Sequence, residues 1–169
     1  MTDAEKPYYE TAKRLAPPED ARWWVERTGR RSYLGHNDRG ATVLMADSDD
    51  GLPGSFSPGE LLRLALAGCA GMTFDSLVAR HLGDDFPATV VVNATAHATE
   101  DRYESFQEHI MLDTSALDDT ARQRLADAIA RAISTGCTVG LTLKNGAPFE
   151  LHVTQSGDDA SPSTRPVRS

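Results

Sequence analysis

The stretch from Ser57 to Cys69, SPGELLRLALAGC, limits what this chain can become more than any other. Ser57 is a favoured N-cap, Pro58 fits the first helical position because its missing N–H has no helical partner to lose, and Glu60 stands where a capping box requires it. A helix therefore begins here. Past its first turn, Leu61, Leu62, Leu64, Ala65, Leu66 and Ala67 leave only Arg63 polar, so the helix has no watery face and must be surrounded by protein. Cys69 is then expected at depth. A buried cysteine is by default a small apolar packing residue, so reactivity needs further support.

A chain of 169 residues suits one domain with a genuine core. With 40% hydrophobic and 25% charged residues it has globular proportions, and no apolar run approaches the roughly 20 residues of a bilayer span. A soluble protein is expected. The opening MTDAEKPYY lacks the basic-then-apolar succession of a signal peptide, which predicts a cytoplasmic location. In a reducing compartment, two distant cysteines are buried, catalytic or metal-bound rather than a permanent staple. A net charge of −8 argues against nucleic acid or a membrane surface as partner, since both reward clustered positive charge. Arg22, Arg27, Arg30, Arg31 and Arg39 nevertheless make the early chain locally basic, and solvated surface is the plain reading of them.

In chain order, residues 1–20 read as an N-terminal extension ending at Pro17-Pro18, residues 21–155 as the domain, and residues 156–169 as a disordered tail rich in Ser, Pro and Asp. Three short runs, Trp23–Arg27, Arg31–Leu34 and Ala41–Ala46, are separated by turn residues and predict an antiparallel meander, with His36 in a turn. The helix from Ser57 extends to about Gly83. Ala88–Thr99 and Tyr103–Asp113 alternate as a hairpin, although Glu108 shares the Ile110 face and suggests that one end of that face opens to water. Asp118–Ile133 carries an apolar stripe at Leu125, Ala128, Ile129, Ala132 and Ile133, an amphipathic helix. Cys137–Lys144 resumes as a short helix, and Phe149–Thr154 is a last strand. The order is βββ, α, ββ, α, β.

Each cysteine follows a helical stretch in a glycine-rich context, Ala67-Gly68-Cys69-Ala70-Gly71 and Thr135-Gly136-Cys137. The glycines beside Cys69 serve either close helix packing or access of a substrate to the sulfur. Cysteine chemistry runs through the thiolate, which needs a positive neighbour or a helix N-terminus to lower its pKa, and a second thiol can condense with a sulfenic acid to form a disulfide. The five histidines lack HxxxH spacing and neither cysteine lies in a CxxC, so no metal site is expected. No GxGxxG or GxxxxGK[ST] cradle is present, and no cofactor is expected.

Ser57-Pro58-Gly59-Glu60-Leu61-Leu62, the following Ala65-Leu66-Ala67-Gly68-Cys69, the segment Cys137-Thr138-Val139-Gly140 through Lys144 and the element order together resemble the OsmC/Ohr proteins, organic hydroperoxide reductases and their osmotically induced relatives. The resemblance covers about Trp23 to Thr154. It implies an α+β fold in which antiparallel sheets wrap around two central helices in an intertwined homodimer, which would also cover the helix that has no wet face. It further implies a thiol peroxidase acting on organic hydroperoxides or hydrogen peroxide in oxidative stress defence. Cys69 would be the peroxidatic residue, Cys137 the resolving one, and a dithiol reductant of unspecified identity would regenerate them. An arginine of the early strands would orient Cys69, with Arg30 preferred, Arg31 next and Arg27 less favoured. The sequence departs from the reductases at Gly59, where they carry a glutamate ten residues before the first cysteine, and at Thr138, where a proline commonly follows the second. Glu60, one residue later, is the candidate to take the glutamate's place, with a structural role in the cap as its competing use. The alternative function is a non-catalytic module of the same fold that binds a small apolar ligand.

Overall fold

The computed structural model describes Pro17 and residues 19–47, 52–153 and 165–166. Strands β1 (Trp23–Gly29), β2 (Ser32–Asn37) and β3 (Thr42–Ala46) form an antiparallel meander in the order β1-β2-β3. Helix α1 (Pro58–Leu82) follows, then the antiparallel hairpin of β4 (Ala88–Ala96) and β5 (Tyr103–Leu112). Helices α2 (Asp119–Gly136) and α3 (Thr138–Asn145) complete the helical part. Two-residue strands β6 (His152–Val153) and β7 (Arg165–Pro166) pair within the region expected as a last strand and a disordered tail; the expected N-terminal extension and most of that tail lie outside the described residues.

The capping box at the start of α1 forms in full. Ser57 N–H donates to Glu60 Oε2 at 2.7 Å, and Glu60 N–H donates to Ser57 Oγ at 3.3 Å. At the other end Gly83 closes the helix with φ 91°, a left-handed conformation that a side chain would disfavour. Phe74 and Val78 of α1 meet Leu125 and Ile129 of α2 in the buried core, with Val90, Ile110 and Leu112 of the hairpin packed against them. The three- and four-residue spacing of these positions is the stripe that the sequence predicts for α2.

Three expectations are corrected. The meander's first turn lies at Arg30-Arg31 rather than Thr28-Gly29, because β1 runs on through a bulge to pair Gly29 with Ser32. His36 is within β2, stacked on Trp24 with ring centroids 5.1 Å apart, because its register places it opposite that tryptophan. Finally, α1 is long and apolar enough to cross a membrane by length and composition, with a mean hydropathy of 1.4 over its most apolar window. Arg63 and Asp75 interrupt that run without making it polar overall.

Only 22% of that window is buried within one chain. Leu66, Ala70, Phe74 and Val78, four residues apart, face the core. On another side Met72 is 83% exposed and Leu64 50% exposed. The single chain thus leaves uncovered an apolar face that the sequence expects protein to surround. The meander packs mainly on itself and meets the rest through β3, where Phe56 forms a parallel bridge with Met45 just before α1.

Candidate active site

Cys69 lies on α1 beside the junction of α2 and α3, and the close approach of the helices is what brings Cys137 to it. Gly136, the last residue of α2, faces Thr73 one turn beyond Cys69, and a Cβ at Gly136 would come within 3.1 Å of Thr73 Cγ2. Glycine there lets α2 end against α1. Cys137 follows at once, 1% exposed, as the N-cap of α3, its Sγ accepting from Gly140 N–H at 3.3 Å.

The start of α3 points its unpaired N–H groups toward Cys69. The backbone N–H of Val139 is the largest influence holding that thiol below the usual cysteine range. Burial opposes this, the Cys137 thiol and the Thr138 N–H reinforce it, and the charge of Glu108 opposes it weakly. A helix start supplies two things to an anion here, unsatisfied donors and the positive end of the dipole. Cys137 is shifted the other way: burial pushes its thiol up, Gly140 N–H offsets part of that, and neighbouring Cys69 and Glu108 push it higher. The two sulfurs therefore differ in kind, one held toward thiolate and one held as thiol. Both are free in this structure.

Cys69 is half-buried rather than at depth, because its side of α1 borders an apolar groove lined by Leu64, Ala65, Gly68, Met72 and Thr73. Of the two uses left open for the neighbouring glycines, Gly68 fits access, since nothing lies within 4 Å of where its Cβ would be.

The remaining candidates sit elsewhere in the chain. Arg30 is exposed at the β1–β2 turn. Arg31, beside it at φ 48°, pairs with Asp47 and borders a recess with Tyr33, Ser57 and Pro58 at the N-terminal end of α1, whereas Cys69 lies midway along the helix. From Ser57 to Cys69 is twelve residues of helix, about 18 Å of rise. Glu60 is held in the capping box, where Ser57 keeps its carboxyl below the usual range. One chain thus brings Cys69 and Cys137 together and leaves Arg30, Arg31 and Glu60 near the start of α1.

Gly59 has a local reason. A Cβ there would lie 2.2 Å from Tyr103 Oη, so the tyrosine of β5 occupies the space a side chain would need. Arg63 lies over the same ring, 6.0 Å from its centroid, and donates to the Gly59 carbonyl at 3.2 Å. The residue that sequence reasoning passed over is Glu108. Its break in the β5 alternation reads as a wet edge, yet the side chain is half-buried, Oε1 is fully enclosed without a hydrogen-bond partner, and burial raises its pKa. Among the described residues no cluster of His, Cys, Asp and Glu is arranged to hold a metal ion.

A long central helix with a second cysteine delivered to it by a helix junction defines an α+β protein with a paired-thiol site. Residues 49–152 match the model of the OsmC-like protein family, and the chain belongs to that family. Uncharacterized proteins of Mycobacterium bovis and Mycobacterium tuberculosis are each 46% identical over 134 residues, spanning 79% of this chain and 96% of theirs. A solved protein of Aquifex aeolicus VF5 is similar with a TM-score of 0.58 at 13% identity, covering 73% of this chain and 86% of its own. Another, of Psychrobacter arcticus 273-4 and ascribed to osmotic stress induction and detoxification response, has a TM-score of 0.56 at 20% identity over 76% and 91%. At such identities the likeness to these two is one of fold.

Proposed function

We propose that this chain is a thiol-dependent peroxidase that reduces organic hydroperoxides or hydrogen peroxide, with Cys69 as the attacking sulfur and Cys137 as the resolving one. The observation that carries this reading is the donor set at Cys69, two N–H groups of the α3 start and a neighbouring thiol, which favours the thiolate and keeps its partner in reach. Cys69 thiolate attacks the terminal peroxide oxygen, the O–O bond breaks, and an alcohol or water leaves as the sulfenic acid forms. Cys137 then displaces the hydroxyl of that acid, giving a disulfide and water. A dithiol reductant returns both thiols. The groove beside Cys69 has an apolar lining, and closed over by a second copy of the chain it would favour an organic peroxide over a fully polar one.

In this reading the working unit is a homodimer. The uncovered face with Leu64 and Met72 gains a partner, and the partner's β1–β2 turn supplies Arg30 or Arg31 to a cysteine that its own chain cannot reach. Arginine in that place orients the thiolate and polarises the peroxide. The test is alkylation and mass spectrometry of reduced protein before and after a substoichiometric dose of cumene hydroperoxide. One Cys69–Cys137 disulfide and its loss with peroxide consumption in Cys69→Ser are expected. Persistence of both free thiols with unchanged peroxide would overturn the reading and leave the apolar-ligand module in its place.

A further inference from the structure

Cys137 holds two helices at once. Its backbone N–H donates to the Ile133 carbonyl at 3.1 Å, closing α2, and its carbonyl accepts from Leu141 N–H at 2.9 Å, opening α3. Its sulfur completes the second task, accepting from Gly140 N–H at 3.3 Å in the place where a serine or aspartate ordinarily caps a helix. Gly140 is fitted to that sulfur, since a Cβ there would lie 3.2 Å from Cys137 Sγ and 3.6 Å from Leu66 Cδ1. Leu66 and Thr73 stand about one turn before and after Cys69 on α1, and they lie against Gly140 and Gly136, which bracket Cys137, so the two cysteines face each other. The rest of α3 is lightly held. None of its eight residues is buried, Leu141 and Leu143 are half-buried, and Thr142 and Lys144 are exposed. A helix of about two turns is not stable by itself, so the groups at its start carry a large share of its order.

We infer that α3 is a redox-operated latch, docked while Cys69 and Cys137 are separate and released when a disulfide joins them. The inference rests on the peroxidase reading for the source of the oxidant and on the sulfur cap for the movement. The bond forms as the two thiols give up two electrons and two protons to the hydroperoxide, which leaves as an alcohol and water. The sulfurs then stand about 2 Å apart, well inside the contact distance of free thiols. Because the Cys137 backbone is pinned to α2, its sulfur closes that gap by turning from Gly140 toward Cys69, and the cap opens. The same step takes away a sulfur able to carry negative charge at the helix start. Helix α3 thus loses two supports together, while α1 and α2 keep the core of Phe74, Val78, Leu125 and Ile129. Release uncovers Cys137, which is 1% exposed in the reduced protein, to the dithiol that returns both thiols. Reduction restores the cap, and the latch closes.

The test is hydrogen–deuterium exchange mass spectrometry of the full chain in three forms: reduced, oxidised with diamide, and oxidised with an equimolar amount of cumene hydroperoxide. The disulfide content of each sample is read in parallel. Peptides across Thr138–Asn145 should exchange about tenfold faster in the disulfide form, while those holding Phe74, Val78, Leu125 and Ile129 keep their rates. Cys137→Ser, which retains a capping side chain and cannot form the bond, should show no change with either oxidant. A Cys69–Cys137 disulfide with α3 exchange within about twofold of the reduced protein overturns the latch alone. Faster exchange throughout α1 and α2 as well, or an oxidant-dependent change in Cys137→Ser, also overturns it, since the loosening then has another origin. Loosening of α3 in the diamide disulfide, with no disulfide formed by the hydroperoxide, upholds the latch and overturns the peroxidase reading. No disulfide from either oxidant overturns both.

Discussion

Cys69 and Cys137 have the same side chain and opposite electrostatic surroundings, so their titrations should separate. Cys69, whose folded pKa is depressed, keeps its thiolate as pH falls below the ordinary cysteine range; Cys137, whose pKa is raised, stays a thiol above it. Iodoacetamide labelling across pH, read by peptide mass spectrometry, should therefore show Cys69 reacting at lower pH and Cys137 lagging. Equal midpoints would contradict the role given to the α3 start. Gly59 allows a second check. Alanine in a helix is favoured over glycine by about 1 kcal/mol, but here its Cβ meets Tyr103 Oη. Gly59→Ala should thus be neutral or destabilising alone and less unfavourable in a Tyr103→Phe background, with a coupling of about 1 kcal/mol in urea unfolding. The cysteines were legible in the sequence because their chemistry is carried by residue type and context. Glu108 was misread because alternation gives a side chain's face and not what covers that face.

Elements were more legible than residues. The start of α1 follows from Ser57, Pro58 and Glu60 because a cap is a local interaction over four residues. Ser57→Ala should cost about 1 kcal/mol in thermal or urea unfolding, and a cost near zero would mean the helix start is held by packing alone. Glu60 adds a pH dependence. Its folded pKa is lowered by Ser57, so its contribution is complete above the ordinary glutamate range and fades as pH falls through the lowered value. Glu60→Gln should flatten that acid limb of stability. The first turn was misplaced by two residues for an opposite reason. Thr28-Gly29 is a turn by composition, but the bulge pairs Gly29 with Ser32, and Thr28 Oγ1 lies 2.8 Å from Ser32 Oγ, extending the hairpin past its apparent end.

At the scale of the molecule, the sequence carried the demand for cover on α1 but not its source, since nothing in a single chain's periodicity says which chain provides the neighbour. The separation of Arg31 from Cys69 within one chain yields a sharp expectation for the proposed dimer. Cys69→Ser homodimers and homodimers carrying both Arg30→Ala and Arg31→Ala should each be nearly inactive. A mixed population formed by unfolding and refolding them together should recover peroxide consumption, because heterodimers hold one intact composite site. Failure of mixing to restore any activity, with mixed species present by native mass spectrometry, would place the arginine in the same chain as the cysteine it serves. The exposed Met72 and Leu64 also make dilution a variable. When an apolar face is covered only by a second copy, folding and encounter are one equilibrium, and heat resistance depends on how much protein is in the tube. The unfolding midpoint should climb with protein concentration, and at high dilution the chain should surrender first the helix around which it is built.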